Sequence, residues 1–166
     1  RSHAEEVLAP IAALAADWNV LDYGQIVDPL APDAPYPLKA LQSRDWNDAL
    51  PTVLITGGVH GYETSGVQGA LLFLRERAAA YAGRVNLLVA PCVSPWAYVH
   101  IQRWNPHAID PNRSFREPSP AAEAAQLMAL VAPLQRRIAL HIDLHETTDS
   151  DEGEFRPALA ARDGKV

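Results

Sequence analysis

Two nearly unbroken apolar runs, Thr52–Val59 and Val85–Val93, flank a segment whose apolar residues recur with helical spacing. Continuous apolar strands belong to a sheet covered on both faces, because a strand with one wet face alternates instead. Between them, Val67, Ala70, Leu71, Leu74 and Ala78 fall three and four apart, which predicts a helix over Thr64–Tyr81. A third apolar run, Ile138–Glu146, follows a segment that opens at Ser119 as N-cap with Pro120 in the first helical position and runs to about Ala132. Strands alternating with helices in this way imply an α/β fold: three-layer α/β/α with a mixed, largely parallel sheet.

The remaining segments fill in around that frame. Glu5–Trp18 reads as a helix, with Val7, Leu8, Ile11, Leu14 and Ala15 on one face. Asn19–Val27 and Leu38–Leu41 read as short strands separated by a proline-rich loop, Asp28–Pro37. Ser94–Glu117 reads as one long loop, rich in aromatic residues, and Thr147–Val166 as a polar one. Loops as long as Ser94–Glu117 within a compact domain are usually functional or disordered, and its aromatic content argues against disorder.

At 166 residues, 48% hydrophobic and 20% charged, the chain suits one globular domain, residues 1–166. A net charge of −6 and a pI near 5.4, with no basic stripe, argue against nucleic acid or an anionic membrane as partner. Cys92 is the only cysteine, so neither a disulfide framework nor a thiolate metal cluster is available. Its apolar surroundings suit a buried structural thiol. With no leader-like segment and no long apolar span, a cytoplasmic location is expected.

His60 and Glu63 stand three apart just past the first apolar strand, and His145 lies near the end of Ile138–Glu146. In open α/β sheets ligands bind at the carboxyl ends of strands, so these side chains can converge. Two imidazoles and a carboxylate are the ligand set of an open catalytic zinc site, here one Zn2+ per chain. Gly57, Gly58 and Gly61 let the backbone turn sharply beside it. His141 competes with His145 for the third position, but His145 is nearer the strand end. Asp143, between them, suits a hydrogen-bond acceptor that fixes an imidazole tautomer. The plainer alternative makes His60 a loop cap, Glu63 a helix-dipole partner and His145 an interior histidine. A nucleotide-binding loop does not fit, because Gly57, Gly58 and Gly61 lack the G-x-G-x-x-G spacing.

His60-Gly61-Tyr62-Glu63, Pro111-Asn112-Arg113-Ser114-Phe115 and Asp143-Leu144-His145, in this order, resemble the zinc metallocarboxypeptidases and their relatives, the succinylglutamate desuccinylase/aspartoacylase group. The resemblance runs from about Tyr23 to His145. It implies a phosphorylase/hydrolase-like zinc peptidase fold, with His60, Glu63 and His145 as metal ligands. It further implies that Asn112 and Arg113 hold the free carboxylate of a peptide or N-acyl amino acid. A guanidinium suits that task on its own chemistry, since it meets a carboxylate with two parallel hydrogen bonds. Arg103 falls where the family's oxyanion-stabilising arginine is expected, with Arg116 nearby as an alternative.

The activity so implied is amide hydrolysis next to a free carboxylate, foremost as a metallocarboxypeptidase. N-acyl-amino-acid deacylation and metal binding without turnover are the alternatives. The family's general-base glutamate has no convincing counterpart here: Glu146 directly follows a ligand, and Glu152 and Glu154 lie in an acidic stretch without strand character. The chain therefore reads as the N-terminal portion of a catalytic domain, with that glutamate expected beyond Val166.

Overall fold

The computed structural model describes residues 1–146. Five strands form one mixed sheet: β1 (Trp18–Asp28), β2 (Ala31–Ser43), β3 (Thr52–Gly57), β4 (Asn86–Ala90) and β5 (Ile138–Leu144), in the order β1-β2-β4-β3-β5. β1 pairs antiparallel with β2, and β2 antiparallel with β4. β3 runs parallel to β4 on one side and to β5 on the other. Four helices accompany them: α1 (Ala9–Ala13), α2 (Thr64–Glu76), α3 (Pro95–His100) and α4 (Ala122–Val131).

The side-chain alternation of the central strands builds the layers. Leu41, Ile55, Leu87 and Val89 face a core completed by Val7 and Ile11 at the N-terminus, by Val67, Ala70, Leu71 and Leu74 of α2, and by Tyr98 of α3. Ala40, Leu54, Leu88 and Ala90 face the opposite way, onto Leu127 of α4. That is the expected three-layer α/β/α arrangement. Cys92 packs, buried, in the first core, and burial pushes its thiol pKa up. No described helix is long and apolar enough to cross a membrane.

Several element boundaries differ from the sequence expectation, each for a local reason. The proline-rich stretch is not a loop, since β2 already begins at Ala31 and carries Pro32, Pro35 and Pro37. β4 pairs with β2 only at Leu41 and Gln42, so among the described residues the proline-bearing half has β1 as its sole strand neighbour in the sheet. Prolines are tolerated on such an edge because no ladder donor is needed there. The first helix is shorter than Glu5–Trp18. It consists of a π-turn over Ala4–Leu8 and then α1, while Trp18 already belongs to β1. Pro10 has no N–H to give to the preceding turn, which interrupts the α pattern there.

Ser119 does not cap α4, which starts at Ala122 with Ala121 at its N-cap. The Ser119 hydroxyl instead donates to the Ser114 carbonyl at 2.7 Å and accepts from Ala121 N at 3.3 Å, serving a turn before the helix. The long loop is also more ordered than expected, for it contains α3 and a 3-10 turn at Pro111–Arg113.

Candidate metal centre

β3 and β5 lie side by side and parallel, with Gly57 opposite Leu144, so the residues leaving their carboxyl ends enter the same space. The chain leaving β3 must turn at once. Gly58 takes a left-handed conformation at φ 62°, one that a side chain would strain. Gly61 passes so close to α3 that a Cβ would sit 1.9 Å from the Ala97 carbonyl carbon. Tyr62 N then donates to the Gln102 carbonyl at 3.2 Å, which pins the turn from the far side. His60 and Glu63 are thereby held inward, each only 2% exposed, immediately before α2.

His145 completes the cluster. Ligand-capable atoms of His60, Glu63 and His145 all lie within 4.8 Å of one another. His60 Nδ1 is 2.7 Å from Glu63 Oε1, and His145 Nδ1 is 2.6 Å from Glu63 Oε2. The far nitrogen of each ring meets another carboxylate: His60 Nε2 lies 3.0 Å from Asp110 Oδ1, and His145 Nε2 lies 2.7 Å from Asp143 Oδ2. His141 is not in the cluster. Its Nε2 faces Thr56 Oγ1 at 2.9 Å, and that hydroxyl donates to Asp143 Oδ1 at 2.6 Å.

This donor set fits a divalent cation. Ionised Asp110 and Asp143 only accept, so each Nε2 donates outward and each Nδ1 turns its lone pair towards Glu63. A lone pair facing a carboxylate oxygen at such distances needs a proton or a cation between them. One metal ion satisfies both imidazoles and the carboxylate together, and ligand atoms around a four-coordinate zinc sit ~3.4 Å apart at ordinary bond lengths. Carboxylates on the outer nitrogens are the usual means of fixing metal-binding histidines.

The electrostatics agree with that picture. Burial would raise the Glu63 pKa, but hydrogen bonds with His145 and His60 outweigh it and bring it to about 2. Asp143 and then Glu63 raise His145 to about 10 against the opposing effect of burial. Asp110 and Asp143 are both lowered: each is disfavoured by burial, but His60 and Arg103 stabilise the first, and His145 and Thr56 the second.

The metal-free protein should respond to pH on both sides. His145, raised from 6.5, stabilises the fold fully below pH 6.5 and loses that contribution as pH rises towards 10. Glu63, lowered from 4.5, stabilises above pH 4.5 and loses that contribution as pH falls towards 2. We therefore expect the melting temperature of metal-free protein to peak between pH 4.5 and 6.5. A melting temperature that climbs steadily from pH 6.5 to 9 would contradict this coupling.

Arg103 stands next to the cluster. Its Nε and Nη2 lie 3.2 and 3.1 Å from Asp110 Oδ2, and its Nη1 lies 3.4 Å from the Tyr62 hydroxyl. Asn112 lines an adjoining cavity of about 420 Å³, together with Asp143, His141, Thr56 and Phe115. Arg113 is exposed and its side chain makes no ion pair among the described residues. Arg116 is exposed as well. Glu146 reaches the rim, but its Oε2 is 2.9 Å from the Ser65 hydroxyl rather than in the cluster. Glu152 and Glu154 lie outside the described residues.

Asp110 is the site residue that sequence reasoning missed. Its signal was local: it precedes Pro111 at the N-cap of the 3-10 turn, and its Oδ1 accepts from Asn112 N at 2.9 Å. Thr56, which ties Asp143 to β3, carried no signal beyond its place in an apolar strand.

Comparison with known proteins agrees with this architecture. The family profile of the succinylglutamate desuccinylase/aspartoacylase catalytic domain matches residues 49–155. A candidate metallopeptidase from Shewanella denitrificans superposes with a TM-score of 0.70 at 27% identity, over 84% of this chain and 52% of its own. A second, from Shewanella amazonensis, gives 0.68 at 26% identity, over 86% and 54%. The chain thus spans about half the length of these proteins. A metallo-carboxypeptidase from Burkholderia cenocepacia shares the fold, with a TM-score of 0.69 at 18% identity over 84% of this chain and 39% of its own. No curated protein sequence matches the chain significantly.

Proposed function

Because this chain belongs to the succinylglutamate desuccinylase/aspartoacylase catalytic-domain family, we propose that it is the metal-binding part of a zinc-dependent hydrolase. Its reaction in this reading is cleavage of an amide bond next to a free carboxylate. The observation that carries the proposal is the convergence of His60 Nδ1, Glu63 and His145 Nδ1, with an aspartate behind each imidazole.

His60, Glu63 and His145 would hold the zinc ion, which would supply Lewis-acid polarisation of the scissile carbonyl and a water acidified towards pKa ~7. The other roles fall to the chain's own groups. Asp110 and Asp143 keep the Nε2 protons outward, so each Nδ1 lone pair remains available to the metal. Arg103, fixed by Asp110, presents a positive charge beside the cluster where an oxyanion would develop. Arg113 and Asn112 orient the substrate carboxylate, and among the described residues no carboxylate pairs with the exposed Arg113. Proton transfer is assigned to a carboxylate outside the described residues.

Two substrate classes follow from two observations. The Shewanella relatives at 26 and 27% identity, described as candidate metallopeptidases, support a peptidase, for which the free-carboxylate reading of Arg113 and Asn112 makes a carboxypeptidase the form proposed. The family profile supports deacylation of an N-acyl amino acid. Zinc-loaded full-length protein should hydrolyse either a dipeptide or an N-succinyl or N-acetyl amino acid, and the preferred class assigns the activity. Stoichiometric zinc with turnover of neither would leave a metal-binding module and remove the hydrolase proposal.

Replacing Arg113 by alanine should raise KM roughly 10- to 100-fold, the worth of one charge-assisted bidentate contact. Zinc content should stay unchanged. Unaltered KM for a substrate with a free carboxylate would dismiss the clamp.

A further inference from the structure

We propose that Glu123 and Asn105, neither of which belongs to the ligand cluster, are positioning residues that lock the loop carrying Asp110 behind His60. The inference rests on the proposed metal-site reading and deepens it.

Glu123 lies on α4 and is fully buried, at 0% exposure; Asn105 is 4% exposed. Glu123 Oε2 accepts from Asn105 Nδ2 at 3.1 Å. With its amide so oriented, Asn105 turns Oδ1 towards the loop, where it accepts from His107 N at 3.0 Å and from Ile109 N at 3.1 Å. The Asn105 backbone closes the same turn, its N–H donating to the Ile109 carbonyl at 3.0 Å and its carbonyl accepting from Ala108 N at 2.9 Å. Ala108 is held at φ 57°, a left-handed conformation that is unfavourable for a non-glycine residue. Such a conformation persists only where its surroundings over-determine it.

The next residue is Asp110, which meets His60 Nε2, Arg103 and Asn112 N. The chain of contacts therefore runs from α4 through Asn105 and the 105–109 turn to the carboxylate that orients a metal ligand and the candidate oxyanion arginine. A buried carboxyl is a costly way to anchor a helix. No cation neutralises it through an ion pair among the described residues, its Oε1 has no hydrogen-bond partner there, and burial raises its pKa. An apolar side chain would pack α4 without that cost but could not orient the Asn105 amide.

The test reverses the polarity of the pair in the full-length protein and reads zinc affinity by chelator competition. Asn105→Asp sets two acceptors face to face and should weaken zinc binding about tenfold or more, as loss of an outer-shell partner does. Adding Glu123→Gln returns a donor to the pair, so the double variant should recover most of that loss. Melting temperature is measured alongside. A lowered melting temperature with zinc affinity unchanged would reduce the pair to packing and overturn the proposal. A folded double variant as weak as Asn105→Asp would overturn it too.

The wild type supplies a second measurement that does not depend on either variant folding. If the turn helps to hold the metal, zinc must in return steady the turn, so hydrogen exchange at the His107 and Ile109 amides should slow on zinc addition. Zinc that binds without slowing these amides sinks the positioning role alone. Wild-type protein that takes up no zinc sinks the metal-site reading, and this inference with it.

Discussion

Replacing His60 with alanine will leave the protein without stoichiometric zinc. The imidazole is 2% exposed and links two carboxylates, Glu63 on Nδ1 and Asp110 on Nε2. Its loss removes one of the three proposed ligands and leaves two acidic groups facing a space with no imidazole between them. Affinity should fall by well over the roughly 100-fold that outer-shell substitutions cost. Elemental analysis after dialysis should give about one zinc per wild-type chain and background for the variant. The control is His141→Ala: His141 faces Thr56 rather than the cluster, so this variant should keep its metal. Equal zinc in wild type and His60→Ala would end the ligand assignment and the hydrolase proposal built on it.

The second large effect is expected at Arg103. A fixed donor aimed at a developing oxyanion is worth about 10²–10³ in kcat. Arg103→Met should therefore lower kcat by that order while KM for a carboxylate substrate moves little, the reverse of the pattern expected for Arg113→Ala. Zinc content must be measured on the same preparation, because Arg103 also holds Asp110. Retained zinc with lost kcat assigns the arginine to turnover. Full activity in Arg103→Met, with loss in Arg116→Met instead, would move the role to the other arginine.

The central features were legible in the sequence because they were written in strong local signals. β3 and β4 are unbroken apolar runs, and such runs have few alternatives to a covered sheet. His60 and Glu63 could be read because glycines and a strand end surrounded them, and His145 because strand ends gather ligands. What escaped depended on tertiary context. Pro32, Pro35 and Pro37 look like a loop until it is known that, among the described residues, no second strand pairs beside them. α3 spans only six residues, too few for a period to emerge. Ser119 has the chemistry of a helix cap, but its hydroxyl serves the turn at Ser114. Asp110 sits 50 positions from the histidine it holds. Nothing in the sequence around Glu123 signals that its carboxyl is buried.

The arrangement of acidic groups around the two imidazoles has a consequence for ion choice. Glu63, Asp110 and Asp143 all ionise readily, and Arg103 offsets only one of the three. With neutral imidazoles the assembly is doubly anionic, so a dication renders it electroneutral, whereas a monovalent ion leaves it anionic. The proton that His145 keeps up to about pH 10 is a partial stand-in for that missing positive charge. Uptake of a dication at neutral pH must therefore expel a proton, and acid should compete with metal for the same place.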